Sequence, residues 1–143
     1  MEDSYSLSKL VGEQLLENYS KVYGLKCHSL RSVGIWDAKQ RDSLKERKPT
    51  SEWDEWLFTW VASEDLAAAH RLLMENAHSI NPFGYYYCCS DDTDVLEPTL
   101  DIIKTYRPEL MSVVREPLEG NAALFSNKLL KAVTGWRPKI TWR

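Results

Sequence analysis

The chain has 143 residues, a net charge of −3 at pH 7 and a hydrophobic content of 43%, which is enough to bury the core of one globular domain. Positive and negative side chains are interspersed, so the sequence lacks both the basic stripe of nucleic-acid-binding proteins and a polybasic segment for membrane surfaces. No apolar run approaches the roughly 20 residues that cross a bilayer, and the acidic start Met1-Glu2-Asp3 has no secretory pattern. We therefore expect a cytoplasmic protein that binds neither nucleic acid nor membranes.

Residues 4–23 are predicted to form the first helix. Ser4 has the side chain of an N-cap, and Gly24 stands where a glycine commonly ends a helix. Apolar residues recur between them at helical spacing: Leu7, Leu10, Val11, Leu15, Leu16, Tyr19 and Val22.

A short strand is predicted directly after this helix, over residues 25–30 and ending in Arg31. A helix followed by a tight turn and a strand is half of a βαβ unit, so the order predicts an α/β fold with a parallel sheet. Lys26 and His28 interrupt the apolar run, which indicates a strand near the edge of the sheet or lining a cleft.

Residues 33–54 are predicted to be a long polar loop, because charged side chains cluster there. Loops of this length are uncommon in compact domains and are usually functional, so we interpret the segment as a lid or substrate loop. Residues 56–62 are rich in aromatic and β-branched side chains and predict a short strand or extended segment. A helix capped by Ser63 then extends to Ala77.

The rest of the chain predicts one more strand and two more helices. The strand covers residues 84–89, between Asn81-Pro82 and a run of acidic turn residues. A helix over residues 98–106 and an extended piece over residues 110–114 follow. The last helix, residues 124–133, has Ser126 or Asn127 near its cap and ends before Gly135, and residues 136–143 form a terminal arm.

Metal and disulfide chemistry are not expected. The cysteines, Cys27, Cys88 and Cys89, are odd in number and lie in apolar runs, where a free thiol behaves as a small hydrophobic side chain. There is no Cys-x-x-Cys pair, and the histidines lack the spacing of metal ligands. The acidic run between residues 91 and 94 is explained by caps and turns.

Tyr5 and Lys9 carry the chemistry that the first helix offers. Side chains at i and i+4 lie one above the other, so a phenol and an ammonium share one small volume on the same helical face. A neighbouring cation generally favours the phenolate and brings a tyrosine hydroxyl closer to use as an acid or base. On spacing alone, the commoner interpretation is a surface pair that contributes little to stability.

Arg41 and Arg115 are candidate ligands for a substrate anion, because a guanidinium forms bidentate contacts with carboxylate and phosphate groups. Arg41 lies in the long polar loop, where a solvated charge is the commoner explanation, and Arg115 follows an extended segment. Trp53, Trp56 and Trp60 have the rings to stack on a sugar or nicotinamide, but such aromatic residues more often pack in a core. We expect Trp60 in the core and leave Trp53 open.

Four segments match, in order, the motifs of one enzyme family. They are Tyr5-Ser6-Leu7-Ser8-Lys9 with Gly12-Glu13 after it, the strand end at residues 30–34, the segment at residues 60–67, and the closing residues Leu129-Leu130, Gly135-Trp136, Pro138 and Trp142-Arg143. On these residues the chain resembles the C-terminal half of an extended short-chain dehydrogenase/reductase, of the NAD-dependent epimerase/dehydratase family. Its tail is similar to that of the uronate-dehydrogenase-like branch.

The resemblance covers nearly the whole chain and implies an α/β fold. We expect a partial Rossmann-like parallel sheet with flanking helices and a small C-terminal substrate-binding region, with the N-terminal nucleotide-binding half absent. Within this single C-terminal portion, residues 1–32 would hold the catalytic helix and the following strand. Residues 33–62 would form the substrate loop region, and residues 63–143 the C-terminal helices, strand and tail.

The resemblance also implies roles for individual residues. Tyr5 would be the catalytic acid/base, and Lys9 would hold the nicotinamide ribose, so that both contact an NAD or NADP cofactor. Ser32 and Val33 would lie beside the nicotinamide carboxamide. Ser32 stands where the family usually has Asn, and Ala62 stands where an acidic residue is commoner.

The six glycines form no Gly-x-Gly-x-x-Gly turn, which the pyrophosphate of a dinucleotide requires. The resemblance therefore implies an NAD(P)-dependent oxidoreductase or epimerase of sugars or sugar derivatives, truncated and inactive until a nucleotide-binding half is supplied. The alternative hypothesis is a non-catalytic remnant that acts as a binding module or as a homodimer through the Tyr5–Lys9 helix.

Overall fold

The computed structural model describes residues 3–143, so the predicted acidic start at Met1 and Glu2 lies outside the described residues. Helices alternate with short strands along the chain. In order, the elements are α1 (Ser4–Tyr23), β1 (Cys27–Arg31), β2 (Ile35–Trp36), α2 (Ala38–Leu44), β3 (Val61–Ala62), α3 (Ser63–Asn76), β4 (Phe83–Tyr87), α4 (Thr99–Tyr106), a 3-10 helix (Pro108–Val113) and α5 (Lys128–Thr134).

The first helix has the bounds that its apolar spacing predicts. Its N-cap is Asp3, one residue before the predicted Ser4, because the Asp3 carboxylate accepts a hydrogen bond from the backbone N–H of Ser6 at 2.7 Å. Gly24 ends the helix with φ 68°, a left-handed conformation in which a glycine has no Cβ to clash.

Two pairs of parallel strands form the sheets. β1 pairs with β4 in a register that runs from Cys27 opposite Phe83 to Arg31 opposite Tyr87. β2 pairs with β3 over two residues. Helix α1 packs on one face of the β1–β4 pair, and on the other face Leu30 and Tyr86 join a core that includes residues of α3 and α5. The predicted α/β fold with parallel strands and flanking helices is confirmed.

The predicted long loop at residues 33–54 is wrong in part, because β2 and α2 lie within it. Helix α2 begins with a capping box. The Asp37 carboxylate accepts from the backbone N–H of Gln40 at 2.8 Å, and the Gln40 side chain accepts from the backbone N–H of Asp37 at 2.9 Å. These two local bonds stabilise a short helix in a stretch whose charge alone indicates a loop.

The predicted strand at residues 56–62 is also wrong in part, because only Val61 and Ala62 are extended in a ladder. The Asp54 carboxylate accepts hydrogen bonds from the backbone N–H groups of Trp56 and Phe58, at 2.9 and 3.2 Å. Leu57 and Phe58 then adopt φ values of 58° and 54°, which are uncommon for residues with large side chains. Burial of Phe58 in the core offsets the strain of this turn.

Four other predictions differ in part from the structure. Residues 110–114 are not extended, because a 3-10 helix starts at Pro108, whose ring favours the first turn of a helix. Ser63 is the first residue of α3 and makes no capping bond. The last helix begins at Lys128, later than predicted, although Gly135 ends it with φ 71° as the sequence indicates. The strand at residues 84–89 is observed over Phe83–Tyr87.

The terminal arm after α5 is held by the start of α3. The carboxylate of buried Asp65 accepts from the backbone N–H groups of Lys139 and Ile140, both at 3.0 Å. The indole N–H of buried Trp136 donates to the Asp65 carbonyl at 2.9 Å. The arm is therefore part of the core and not a loose tail. None of the helices within residues 3–143 is both long and apolar enough to cross a membrane.

His28, on β1, is a half-buried titratable residue whose ring nitrogens are both buried. Neither of its ring nitrogens has a hydrogen-bond partner among residues 3–143, and both are shielded from solvent. Burial, with a smaller effect of the Lys26 charge, lowers the pKa of His28. Protonation of His28 therefore opposes folding.

Replacement of Asp65 tests the anchoring of the terminal arm. Asp65→Ala leaves two backbone donors without a carboxylate, so we expect a loss of about 1–3 kcal/mol in the free energy of unfolding, measured with urea and tryptophan fluorescence. Asp65→Asn keeps an acceptor and should lose less. Asp101→Ala, at an exposed position on α4, is the matched control and should stay within about 0.5 kcal/mol of wild type. An Asp65→Ala variant as stable as the control would contradict this account.

The pH dependence of stability tests the burial of His28. Because the folded-state pKa is depressed, the stability contribution is fully present above the unfolded-state pKa of about 6.5 and is lost as the pH falls below it. We expect wild type to lose more stability than His28→Leu between about pH 7 and about pH 5, by urea unfolding. His78→Gln removes an exposed histidine and should behave like wild type. Identical pH profiles for wild type and His28→Leu would contradict the prediction.

Candidate active site

Helix α1 runs antiparallel to β1, and this orientation places its first turns beyond the end of the strand. The helix ends at Tyr23, only three residues before β1 begins at Cys27. Halfway along α1, Glu13 contacts Arg31, the last residue of β1. The residues of α1 that precede Glu13 therefore extend past the carboxyl end of the strand, which is the edge at which open α/β sheets bind ligands.

The contact between Glu13 and Arg31 is bidentate. Nε of Arg31 donates to Oε1 of Glu13 at 2.8 Å, and Nη2 donates to Oε2 at 2.6 Å. Ser29, two residues earlier on β1, donates its hydroxyl to the same carboxylate at 3.1 Å. The Glu13 side chain is 15% exposed and that of Arg31 34%. Their hydrogen bonding lowers the pKa of Glu13 and raises the pKa of Arg31, so the pair stays ionised.

Tyr5 and Lys9 lie on the same face of α1 as Glu13. With a rise of about 1.5 Å per residue, Lys9 lies about 6 Å and Tyr5 about 12 Å beyond Glu13 along the helix. Nζ of Lys9 is 4.9 Å from the centroid of the Tyr5 ring, so the structure brings the two side chains together as their spacing predicts. Tyr5 is 67% exposed, and its ring is open to a ligand.

Ser32 and Val33 follow Arg31 directly, at the same carboxyl edge, and both are half-buried. The chain then turns at Gly34, which has φ 59°. A Cβ at Gly34 would lie 2.5 Å from the carbonyl oxygen of Thr59, so only glycine fits this turn. Ser32 and Val33 therefore lie at the carboxyl edge of β1, past which the first turns of α1, with Tyr5 and Lys9, extend.

An aromatic stack connects this edge to a cleft. The Arg31 guanidinium lies 4.1 Å from the ring centroid of Tyr85 and 5.6 Å from that of Tyr87. Tyr87 stacks on Phe125 with the centroids 4.9 Å apart and the planes at 26°. Phe125 in turn lines the cleft. The site edge and the cleft are thus continuous through side chains in contact.

The cleft has a volume of about 660 Å³ and lies beside the residues that follow β4. Its lining includes Trp53, Leu57, Arg115, Phe125, Asn127 and Lys131. Two of its lysines are paired with carboxylates, Lys128 with Glu116 and Lys131 with Asp91. Arg115 takes part in none of the ion pairs found among residues 3–143, so the lining carries one uncompensated positive charge.

Arg41 does not lie free in a loop. Its guanidinium forms a bidentate pair with Glu64, at 2.7 and 2.8 Å, and also donates to the Trp36 carbonyl at 2.8 Å. The pairing lowers the pKa of Glu64 to about 2. Arg41 therefore joins α2 to the first turn of α3, and its donors already have protein partners.

Among the tryptophans, only Trp60 was predicted to lie in the core, and Trp53 was left open. Trp60 is fully buried in the core, which confirms the prediction for that residue. Trp53 is half-buried, packs edge-on against Phe58 and lines the cleft.

The acidic run at residues 91–94 makes ion pairs. Asp92 pairs with Arg143, and Asp94 pairs with Arg47 at 3.2 Å. Burial raises the pKa of Asp94. Within residues 3–143, no group of three His, Cys, Asp or Glu side chains is placed to hold a metal ion.

Sequence reasoning missed Glu13, Tyr87 and Phe125 as parts of the site. Glu13 was detectable, because it extends the spacing of four that separates Tyr5 from Lys9. The stack of Tyr87 on Phe125 joins residues 38 positions apart in the sequence, and no local pattern indicates it.

No protein-family model matches the chain, and no curated protein matches it either. Solved structures do match this chain. RMD from Pseudomonas aeruginosa, complexed with NADPH, is 19% identical with a TM-score of 0.57, and the match covers 96% of this chain and 51% of that one. A UDP-galactose 4-epimerase is 19% identical with a TM-score of 0.59, and the match covers 96% of this chain and 48% of that one.

At this level of identity the comparison concerns the fold. It confirms the mixed α/β architecture with parallel strands and flanking helices, which the sequence analysis describes as Rossmann-like. The chain spans about half the length of both solved proteins.

Proposed function

We propose that the chain is part of an NAD(P)-dependent oxidoreductase or epimerase of sugars or sugar derivatives, in the NAD-dependent epimerase/dehydratase family. The observation that carries the proposal is the placement of Tyr5 and Lys9, in contact and exposed, beyond the carboxyl end of β1. Support comes from the fold shared with a protein whose structure holds NADPH and with a UDP-galactose 4-epimerase.

The residues at this edge fit the nicotinamide end of a dinucleotide. Lys9 has an exposed ammonium for the ribose hydroxyls, and the backbone at Ser32 and Val33 has polar groups for the carboxamide. The pyrophosphate end needs a glycine-rich turn that these 143 residues do not contain. We propose that a companion nucleotide-binding unit supplies it, so that the chain alone is inactive. That unit would also determine whether the cofactor is NAD or NADP.

The chemistry proposed for this chain is proton transfer. Bound nicotinamide supplies the hydride exchange. The Tyr5 hydroxyl gives a proton to, or takes one from, the substrate oxygen at the carbon that is oxidised or reduced. Lys9 holds the ribose next to Tyr5, and Ser32 and Val33 fix the orientation of the carboxamide.

The cleft is the proposed substrate site. Its volume of about 660 Å³ is suited to a small-molecule ligand and its lining combines aromatic and aliphatic side chains with a few polar groups. Trp53 offers an apolar surface to a sugar ring. Arg115, whose charge is uncompensated, would hold a phosphate or carboxylate of the substrate. Arg41 is not included, because Glu64 already occupies its guanidinium.

The open edge of β1 is a further argument for a companion unit. Among residues 3–143, β1 pairs only with β4, so the backbone groups of its other edge are available to a further strand. We propose that the companion unit adds a parallel strand there.

Substitution of Tyr5 and Lys9 tests the catalytic proposal. In a complex with a glycine-rich nucleotide-binding unit, we expect Tyr5→Phe to lower turnover about 100-fold or more while cofactor binding stays unchanged, because only the proton is lost. Lys9→Met should weaken both turnover and cofactor binding. Turnover is followed by NAD(P)H absorbance and binding by calorimetry.

The matched controls are Tyr23→Phe and Lys21→Met, which change exposed residues near the other end of the same helix. Both should behave like wild type. Equal turnover of wild type and Tyr5→Phe would contradict the catalytic proposal.

A second candidate function is a non-catalytic dimerisation module, and the surface of α1 favours it. The face of α1 directed away from the sheet is apolar, and its side chains are exposed: Leu7, Val11, Leu15 and Val22. The inward face carries Glu13 and Ser20 instead. An exposed apolar stripe on a helix commonly marks a contact surface for a second helix.

Leu15→Glu tests the dimerisation candidate. A charge in the centre of the apolar stripe should abolish self-association without changing the circular dichroism spectrum, since the side chain is exposed in the single chain. Light scattering after size exclusion measures the mass. Asn18→Glu, also exposed on α1, adds the same charge without removing an apolar group and should weaken association less. A wild-type chain that stays monomeric at its highest soluble concentration would rule out this function.

A further inference from the structure

We propose that Glu13 and Arg31 are positioning residues that hold α1 in the orientation required by Tyr5 and Lys9. We further propose that the stack of Tyr87 on Phe125 extends this link to the cleft. The inference rests on the proposed function in one respect only, namely that the residues being positioned are a catalytic pair.

The inward face of α1 offers little buried apolar surface to fix its orientation on the sheet. Ser20 is the only fully buried residue of the helix, and it is small and polar. Leu16 and Glu17 are only half-buried. An apolar helix face that interlocks with a sheet resists rotation and sliding, but here the large apolar side chains point away from the sheet. The directional contacts between α1 and the sheet are therefore the hydrogen bonds that Glu13 accepts from β1.

The bidentate geometry is suited to this task. Two parallel N–H···O bonds between a planar guanidinium and a planar carboxylate have one favourable arrangement, whereas a single lysine contact has many. The Ser29 hydroxyl adds a third bond to the Glu13 carboxylate. On the other side, the Tyr85 ring 4.1 Å from Arg31 limits where the guanidinium can move. Glu13 is thus held by two residues of β1, and the guanidinium that holds it is restrained by a residue of β4.

Small changes at Glu13 would be amplified at the far end of the helix. Because Tyr5 lies about 12 Å from Glu13 along the axis, a tilt of about 10° at Glu13 moves Tyr5 by about 2 Å. A misplacement of about 1 Å at a reacting group can lower a rate about 100-fold. The orientation of α1 is therefore part of the geometry of the reaction.

Aromatic side chains connect the cleft to the guanidinium of Arg31. Arg31 lies near the Tyr87 ring, Tyr87 stacks on Phe125, and Phe125 lines the cleft. A ligand that packs on Phe125 restrains Tyr87, and Tyr87 restrains Arg31. We therefore expect a ligand in the cleft to narrow the range of orientations that α1 adopts.

Distance measurements between spin labels test this inference on the chain by itself. The labels are placed on cysteines introduced at Ser8, on α1, and at Ser112, beside the cleft, both of which are exposed. The native Cys27, Cys88 and Cys89 are buried, and burial raises the pKa of both Cys88 and Cys89 to about 12, so they react poorly with the label. Double electron–electron resonance then gives the distribution of distances.

Glu13→Gln keeps the shape of the side chain and removes its charge. We expect the distance distribution to broaden about twofold, since the first turns of α1 gain freedom to tilt about Glu13. Arg31→Lys keeps the positive charge but cannot form the bidentate contact, and it should broaden the distance distribution less. Glu13→Gln combined with Arg31→Gln should be no broader than either single variant, because both act through one interaction. Glu17→Gln breaks the surface pair with Lys21 on the same helix and should leave the distribution as in wild type.

A distribution in Glu13→Gln and Arg31→Lys that equals the wild-type one would overturn the inference. Circular dichroism confirms that each variant is folded, and Arg31→Lys, the milder change, provides the test if Glu13→Gln is not. In the complex that includes the nucleotide-binding unit, Glu13→Gln should lower kcat about tenfold or more with little change in KM for the substrate.

The two proposals fail in different ways. Broadening in Glu13→Gln together with an inactive wild-type complex would refute the proposed function and leave the positioning role in place. An active complex whose turnover and label distances are both unchanged in Glu13→Gln would refute the positioning role alone.

Discussion

The bidentate contact between Glu13 and Arg31 is the constraint on which the candidate site depends. It joins the middle of α1 to the last residue of β1, and so it decides which part of the helix extends past the strand. The free energy of such a partly buried pair is modest. Its importance is geometric, because a rigid helix converts one fixed contact into a fixed position for Tyr5 two turns away.

The remainder of the fold supplies the walls beside that edge. The turn at Asp54 places Trp53 and Leu57 on the cleft, and its left-handed residues are tolerated because Phe58 is buried beneath them. The last helix contributes Lys128 and Lys131, each paired with a carboxylate. The terminal arm is fastened to Asp65 at the start of α3. A turn with left-handed residues and two ion pairs thus line the cleft.

Sequence patterns predicted the elements with strong periodicity and missed those that depend on a particular side-chain bond. The apolar spacing of α1 and the glycine after it predict the course of the helix and its end at Tyr23, although the N-cap is Asp3 and not Ser4. Helix α2 was missed because its stability comes from the capping box of Asp37 and Gln40 within a highly charged stretch. Residues 56–62 predict a strand or extended segment instead of the turn at Leu57 and Phe58, since β-propensity does not register the Asp54 carboxylate that accepts from the backbone there.

The same division applies to the site. Contact between Tyr5 and Lys9 followed from their spacing of four on a helix, and the position of Ser32 and Val33 followed from the end of the strand. The pairing of Arg41 with Glu64 could not be predicted from the sequence, because the two residues are 23 positions apart and meet only in the folded chain. The stack of Phe125 on Tyr87 likewise required tertiary structure. Contacts between residues close in the sequence were therefore predictable, and contacts between residues far apart in the sequence were not.

The central claim is that the carboxyl edge of β1, with the first turns of α1 above it, is a nicotinamide site. The most direct measurement is a chemical-shift map of the labelled chain titrated with nicotinamide mononucleotide, the part of the cofactor that this edge would hold. The account predicts that the shifts concentrate at Tyr5, Lys9, Ser32 and Val33. Shifts confined to other surfaces, such as the amino end of β4, or no shifts at all, would contradict it.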